Sequence, residues 1–265
     1  MHTKISAGNP HGCNRYGFAW EHIPAGAEAH LDFGCSDGRF LESLQAKSIR
    51  RLVGVDIASE AIQRGRQARP GLELHHVRST VPVPFPDRAF DSISVLDVLE
   101  HVYEQKDLLR ELHRKLKDDG VLIVTVPRQH IFSFLDLGNL KFLFPRLHRW
   151  HYIRHHSRAE YEQRYVAHPD GLVGDVSAKK RWHEHFSQAK IRSLLEQCGF
   201  GVIEFDGAGF IQRPVNVAGL LLARFRVAAG FLHRIVQADA RHSESMNLFC
   251  VARKMPLPSR RKGEP

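Results

Sequence analysis

His30-Leu31-Asp32-Phe33-Gly34-Cys35-Ser36-Asp37-Gly38-Arg39, followed by Arg51-Leu52-Val53-Gly54-Val55-Asp56, is the stretch on which the fold turns. An apolar strand runs into a turn carrying two glycines. A helical stretch follows, with Phe40, Leu41 and Leu44 at helical spacing, and a second apolar strand then ends in an acid. Gly34 and Gly38 let the main chain turn tightly and come close to a ligand. Asp56 follows Gly38 by 18 residues, where an acid can take both ribose hydroxyls of an adenosine. In open α/β sheets ligands bind beyond the carboxyl ends of the strands, so turn and acid together predict a nucleotide-type site.

The alternation continues outward. Ser59 to Ala68 reads as a helix with Ser59 as N-cap. Leu72–Val77 and Phe90–Leu96 read as the third and fourth strands. Leu108–Leu116 reads as a helix with Leu108, Leu109, Leu112 and Leu116 on one face. Asp118-Asp119-Gly120 is a turn into a fifth strand, Val121–Val126, stopped by Pro127. Such βαβ units predict an α/β fold: a mostly parallel sheet with helices on both faces. The second half is less regular. A helix is predicted over Gln188–Cys198, a strand over Gly201–Phe205, an apolar helix over Ala218–Val236 and a last strand over Asn247–Ala252. The chain reads as a single domain with insertions at 129–181 and 207–244 and a disordered basic tail over 255–265.

Composition narrows the class. The 265 residues are 43% hydrophobic and 25% charged, ordinary for a globular protein, which excludes disorder, collagen and coiled coil for the whole chain. The formal charge of +9 raises the odds of an anionic partner without choosing one. Cys13, Cys35, Cys198 and Cys250 form no C-x-x-C pair, against a disulfide framework or zinc ribbon and in keeping with a reducing compartment. Neither a secretory leader nor a run of about 18 apolar residues is visible, so a cytoplasmic location is expected.

The turn is not a G-x-G-x-x-G dinucleotide fingerprint, nor a Walker loop, since no Gly-Lys-Ser/Thr follows. Its spacing, Asp32-x-Gly34-x-x-x-Gly38, resembles the first motif of class I S-adenosylmethionine-dependent methyltransferases. Val53-Gly54-Val55-Asp56 resembles that family's second-strand motif. Val83-Pro84-Phe85-Pro86-Asp87, with Phe90-Asp91, resembles the segment before its fourth strand, and Val95-Leu96-Asp97-Val98-Leu99-Glu100-His101-Val102 that strand's exit. Leu116-Lys117-Asp118-Asp119-Gly120 resembles its turn into the fifth strand. Trp182-His183-Glu184-His185-Phe186-Ser187 and Cys198-Gly199-Phe200 resemble the closing helix and sixth strand of its small-molecule members.

The resemblance implies a Rossmann-like class I methyltransferase sheet with an antiparallel last strand, and S-adenosylmethionine as cofactor. It implies that Asp32 contacts the methionine amino end and that Gly34, Ser36 and Gly38 pass beneath methionine and ribose. Asp56 would hold the ribose diol, Ile57 would pack on adenine and Leu96 would offer its carbonyl to the amino group. Ser36 stands where the family most often has its central glycine, which is tolerable if its main chain has a negative φ. Ser79 aligns with the acid that often accepts from the adenine amino group.

Methyl transfer is an in-line displacement in which the protein chiefly aligns donor and acceptor. A hydroxyl acceptor needs a base. His101 is the first candidate, with His183 and His185 ahead of the closing helix the next. Asp97, Glu100 and His101 also resemble the metal-binding acid-x-x-Glu-His segment of ubiquinone-pathway O-methyltransferases. The same letters occur in metal-free relatives, and no metal is expected. The aromatic-rich insertions favour a small-molecule or lipid-like acceptor, methylated at oxygen. A peripheral membrane contact or a homodimer through them stays open. A nucleic-acid acceptor is disfavoured because the basic residues are interleaved with apolar ones rather than gathered in one stripe. A non-catalytic cofactor-binding module is the remaining alternative.

Overall fold

The strands meet in one seven-stranded sheet of order β3-β2-β1-β4-β5-β7-β6. A computed structural model describes residues 5–136, 139, 143–155, 157–166, 184–221 and 226–255. Strands β1 (Ala29–Phe33), β2 (Arg51–Asp56), β3 (Glu73–His76), β4 (Phe90–Leu96) and β5 (Leu116–Pro127) pair in parallel. Strands β6 (Phe200–Ala208) and β7 (Asn247–Lys254) are antiparallel, with β7 lying between β5 and β6. The sheet is thus mostly parallel, as its long apolar runs require. β1 and β4 are buried along nearly their whole length, because helices cover both faces.

One face is packed by α4 (Gln105–Lys115) and α7 (Gln188–Glu196), through Leu108, Leu112, Ile191 and Leu195. The other is packed by α1 (Arg15–His22), α2 (Arg39–Ser43) and α3 (Ser59–Ala68), through Phe18, Phe40, Leu41 and Ile62. Chain direction across the sheet reverses between β1 and β4, so the crevice at their carboxyl ends is where a ligand site belongs.

Three expectations need correction. Ser59 is the first residue of α3, not its cap. Ala58 occupies the cap position, without a side-chain bond to the helix. The predicted helix over 218–236 is two elements, α8 (Gln212–Leu221) and α9 (Arg226–His242). Ser36 has φ +52°, not a negative value. The predicted tail from residue 256 onward lies outside the described residues, as do 167–183, which include His183. In the first insertion, α5 (Pro145–His155) and α6 (Arg158–Tyr165) pack through Tyr152 and Tyr161, ring centroids 5.7 Å apart. Leu143, Phe144, Leu147 and Trp150 stay more than half exposed. No helix among the described residues is long and apolar enough to cross a membrane.

Candidate active site

The exits of β1, β2 and β4 enclose a cavity of about 650 Å³. Its floor is the turn after β1. Gly34 (φ +87°) and Gly38 (φ +81°) both adopt left-handed backbone, which glycine takes without penalty. A Cβ on Gly34 would lie 2.2 Å from Val98 Cγ2, so this turn can press against the β4 exit only as glycine. The Gly34 and Cys35 amides both donate to the Val55 carbonyl, at 2.8 and 3.1 Å, and lash the turn to β2.

Asp56 ends β2 and binds the turn from the other side. Its Oδ2 accepts from the Ser36 amide at 2.7 Å, and its Oδ1 accepts from the Ala58 amide at 2.8 Å. Both amide bonds fix the carboxylate's plane, and each oxygen keeps a second lone pair for another donor. The Ser36 amide bond also accounts for the positive φ, which aims that N–H at Asp56. A left-handed serine costs roughly 1–2 kcal/mol, offset here by a charge-assisted hydrogen bond.

The walls continue the set. Ile57 and Leu96 line the cavity, with Val77, Asp97 and Val98 beside them. His101, on the short 3-10 helix Leu99–His101, faces the same space. Asp97 has φ +52° and is held on two sides: Arg15 Nη1 donates to its Oδ2 at 2.5 Å, and Thr125 Oγ1 donates to its Oδ1 at 2.7 Å. Among the described residues no cluster of three or more His, Cys, Asp or Glu side chains is arranged to hold a metal.

Asp32 lies behind the turn, 3% exposed, and its Oδ1 accepts from Ser94 Oγ at 2.6 Å. Burial pushes its carboxyl up to about 7, against the Ser94 hydrogen bond and with the Asp56 charge adding to the rise. Ser79 gives its hydroxyl to the Val81 carbonyl at 2.8 Å, and Thr80 is the neighbour that lines the cavity. His185 is turned to Asp136 of the first insertion, 2.8 Å away. The adjacent Glu184 accepts from Gln105 Nε2 at 2.8 Å, and Gln105 Nε2 also donates to the Leu99 carbonyl at 2.9 Å. The segment before α7 is thereby tied to the turn that carries His101.

Four participants were not anticipated. Glu60 and Arg64 line the cavity from α3, and their i, i+4 spacing after Asp56 is the signal that could have shown them on the face turned inward. Glu160 reaches the cavity from α6, so the first insertion borders the site. Arg15 comes from a helix that precedes the recognisable motifs, and nothing in the sequence announces its partner.

The family model described as a methyltransferase domain matches residues 17–204. A probable S-adenosylmethionine-dependent methyltransferase of Mycolicibacterium smegmatis is 30% identical over 103 residues, 39% of this chain and 39% of that protein. The chain therefore matches about two-fifths of the length of such relatives. The ubiquinone biosynthesis O-methyltransferase of Azotobacter vinelandii is 27% identical over 135 residues, 48% of this chain and 57% of that one. Among solved structures, a methyltransferase from Methanosarcina mazei superposes with TM-score 0.52 at 17% identity, covering 91% of this chain and 98% of its own. That last likeness is one of fold.

Proposed function

The chain belongs to the methyltransferase-domain family, and from that membership we propose that it transfers a methyl group from S-adenosylmethionine to a small or lipid-like acceptor, at oxygen. The single observation that carries this reading is the joining of the Gly34–Gly38 turn, Asp56, Leu96 and His101 around one cavity. The residues fit the cofactor. Asp56 keeps lone pairs for a diol, Gly34 leaves no Cβ in the way, and Ile57, Val77 and Leu96 supply apolar walls suited to a purine. When bound, the cofactor supplies a methyl group on a sulfonium that is already an activated leaving group.

The chain's own residues then do three things. The turn and Asp56 fix the ribose end, so the reactive carbon meets the acceptor in line, where orientation alone supplies much of the rate. The apolar side chains of Val77 and Leu96 keep part of the cavity wall dry. His101 takes the acceptor hydroxyl proton on a ring nitrogen, with His183 and His185 as further candidates for that duty. The relative from Azotobacter, named for ubiquinone biosynthesis, supports an aromatic hydroxyl on an apolar molecule as the acceptor class. The exposed Leu143, Phe144, Leu147 and Trp150 support an apolar neighbour at the first insertion, a membrane surface or a second copy.

Calorimetric titration with S-adenosylhomocysteine tests the cofactor reading. Micromolar binding by the wild type, lost in Asp56→Ala, is expected. Absence of binding at millimolar concentration overturns it. His101→Ala should keep that binding while slowing methylation of a catechol probe by about 100-fold or more. Unchanged turnover removes His101 from the chemistry.

A further inference from the structure

Four polar side chains run through the centre of the sheet where β1 pairs with β4. The register sets His30 beside Ser92 and Asp32 beside Ser94. His30, Ser92 and Ser94 are fully buried. Ser92 Oγ lies 2.8 Å from His30 Nδ1, His30 Nε2 lies 3.0 Å from Ser94 Oγ, and Ser94 Oγ lies 2.6 Å from Asp32 Oδ1. Parallel strands buried on both faces ordinarily carry apolar side chains there. Burying polar groups is costly unless they are hydrogen-bonded, and here each of the four side chains is bonded to the next.

The direction of the chain follows from counting protons. A serine hydroxyl has one hydrogen to give. With Asp32 ionised, Ser94 must give its hydrogen to the carboxylate and can only accept from His30. The His30 proton is then on Nε2, and the bare Nδ1 accepts from Ser92. With Asp32 protonated and donating, every bond reverses: Ser94 donates to Nε2, and the His30 proton moves to Nδ1. The imidazole stays neutral in both cases. Burial holds it down at about 3, with the Lys47 ammonium adding to the effect and a hydrogen bond to the Ser92 main chain opposing it.

We propose that Ser92, His30 and Ser94 are positioning residues, a buried relay that favours the ionised form of the Asp32 carboxylate at the end of β1, where its charge bears on the cationic amino end of the cofactor. This rests on the reading of the cavity given above. The charged groups bearing on the relay are Lys47, near His30, and Asp56, near Asp32. The Cys35 thiol beside Asp32 is kept protonated by its own burial. Lys47 favours a neutral His30, and Asp56 opposes ionisation of Asp32. The Ser94 hydrogen bond is therefore the one contact of the relay that works against protonation of that carboxylate.

Two measurements test the relay together. The first is ¹⁵N NMR of histidine-labelled protein without cofactor, across pH 5 to 9. The His30 proton should sit on Nε2 on the alkaline side and move to Nδ1 on the acid side, with a single midpoint that Ser94→Ala abolishes. The second is binding of S-adenosylhomocysteine over the same range. Ser94→Ala and His30→Leu should weaken it roughly tenfold at pH 7, the worth of one charge-assisted hydrogen bond. They should also move the midpoint of the binding profile to higher pH. His30→Gln can give an N–H to Ser94 and accept from Ser92, and should restore both. A purely structural role would lower thermal stability without moving either midpoint. The proposal is overturned if the His30 tautomer is fixed across the range, or if Ser94→Ala binds like wild type with the same midpoint. Should the wild type bind no cofactor, the functional reading falls, and the tautomer titration still decides the relay.

Discussion

Gly34→Ala is the sharpest perturbation of the site that leaves its chemistry alone. Gly34 sits at φ +87°, and its amide is committed to the Val55 carbonyl at 2.8 Å, so the turn cannot swing aside without losing that bond. An alanine there carries about 1–2 kcal/mol for left-handed backbone. Its Cβ would also stand 2.2 Å from Val98 Cγ2, an overlap that resembles core overpacking, at about 1–3 kcal/mol. The expected loss is thus about 2–5 kcal/mol, inside a total stability of about 5–15 kcal/mol, so the variant folds and can be measured. Val98→Ala separates the two parts, because it removes the offending methyl and leaves φ as it was. By itself it should cost about 1 kcal/mol for a half-buried valine. In the double variant the overlap is gone, and the pair should couple favourably by about 1–3 kcal/mol relative to additivity. Urea unfolding of the four proteins gives the cycle, and S-adenosylhomocysteine titration reports the turn. A Gly34→Ala protein within about 0.5 kcal/mol of wild type refutes the close approach of turn and β4 exit. Strict additivity refutes the part assigned to Val98.

Three further outcomes follow from the same geometry. Ser36→Gly exchanges a left-handed serine for a residue at ease there, against the extra chain entropy of glycine. It should raise stability by up to about 1 kcal/mol in urea unfolding with cofactor binding kept, and a loss above that size would show Ser36 unstrained. Asp32→Asn should become more stable relative to wild type as pH rises. The folded Asp32 carboxyl is pushed up to about 7 from 3.8, so its contribution is full below pH 4 and lost by about pH 7, roughly 4 kcal/mol at most. The difference between the two proteins' stability–pH curves isolates this, because His30, depressed to about 3, loses stability in the opposite direction as pH falls from 6.5; parallel curves would contradict it. Asp136→Ala breaks the tie to His185 and should speed proteolytic cleavage within the first insertion, with global unfolding changed by less than about 1 kcal/mol. Equal cleavage rates would show the tie idle.

The sheet was legible because its signals are local. Apolar strands from Ala29, Arg51 and Phe90 end where a glycine or an acid interrupts them, and α3 and α4 carry their leucines and isoleucine at helical spacing. The central residues of the site were legible for a related reason: turn and acid are fixed by strand ends, so position along the chain determines position in space. Legibility ends where a side chain's direction depends on a partner distant in sequence. Ser79 and Thr80 are adjacent hydroxyls beyond the last ladder residue of β3, and only the fold shows that Thr80 faces the cavity. Ser59 follows Asp56 at a spacing that suits a cap, yet Asp56 itself takes the Ala58 amide, and no Ser59 cap forms. The left-handed Ser36 answers to the same carboxylate, 20 residues away.

The buried polar set in β1 and β4 shows most clearly why sequence patterning falls short. His30, Asp32, Ser92 and Ser94 stand at alternate positions of two strands that read as apolar from their remaining residues. The parallel register turns those polar positions toward one another inside the sheet, where they form an internal hydrogen-bonded row. Two separate strands each carry half of it, and neither half means anything without the other. A row of this kind costs desolvation along its whole length, which no apolar substitute would incur. One end terminates at Asp32, immediately before the turn that floors the cavity. If the row acts as proposed, the stability given up in the interior serves to set the charge of a carboxylate at the edge of the cavity.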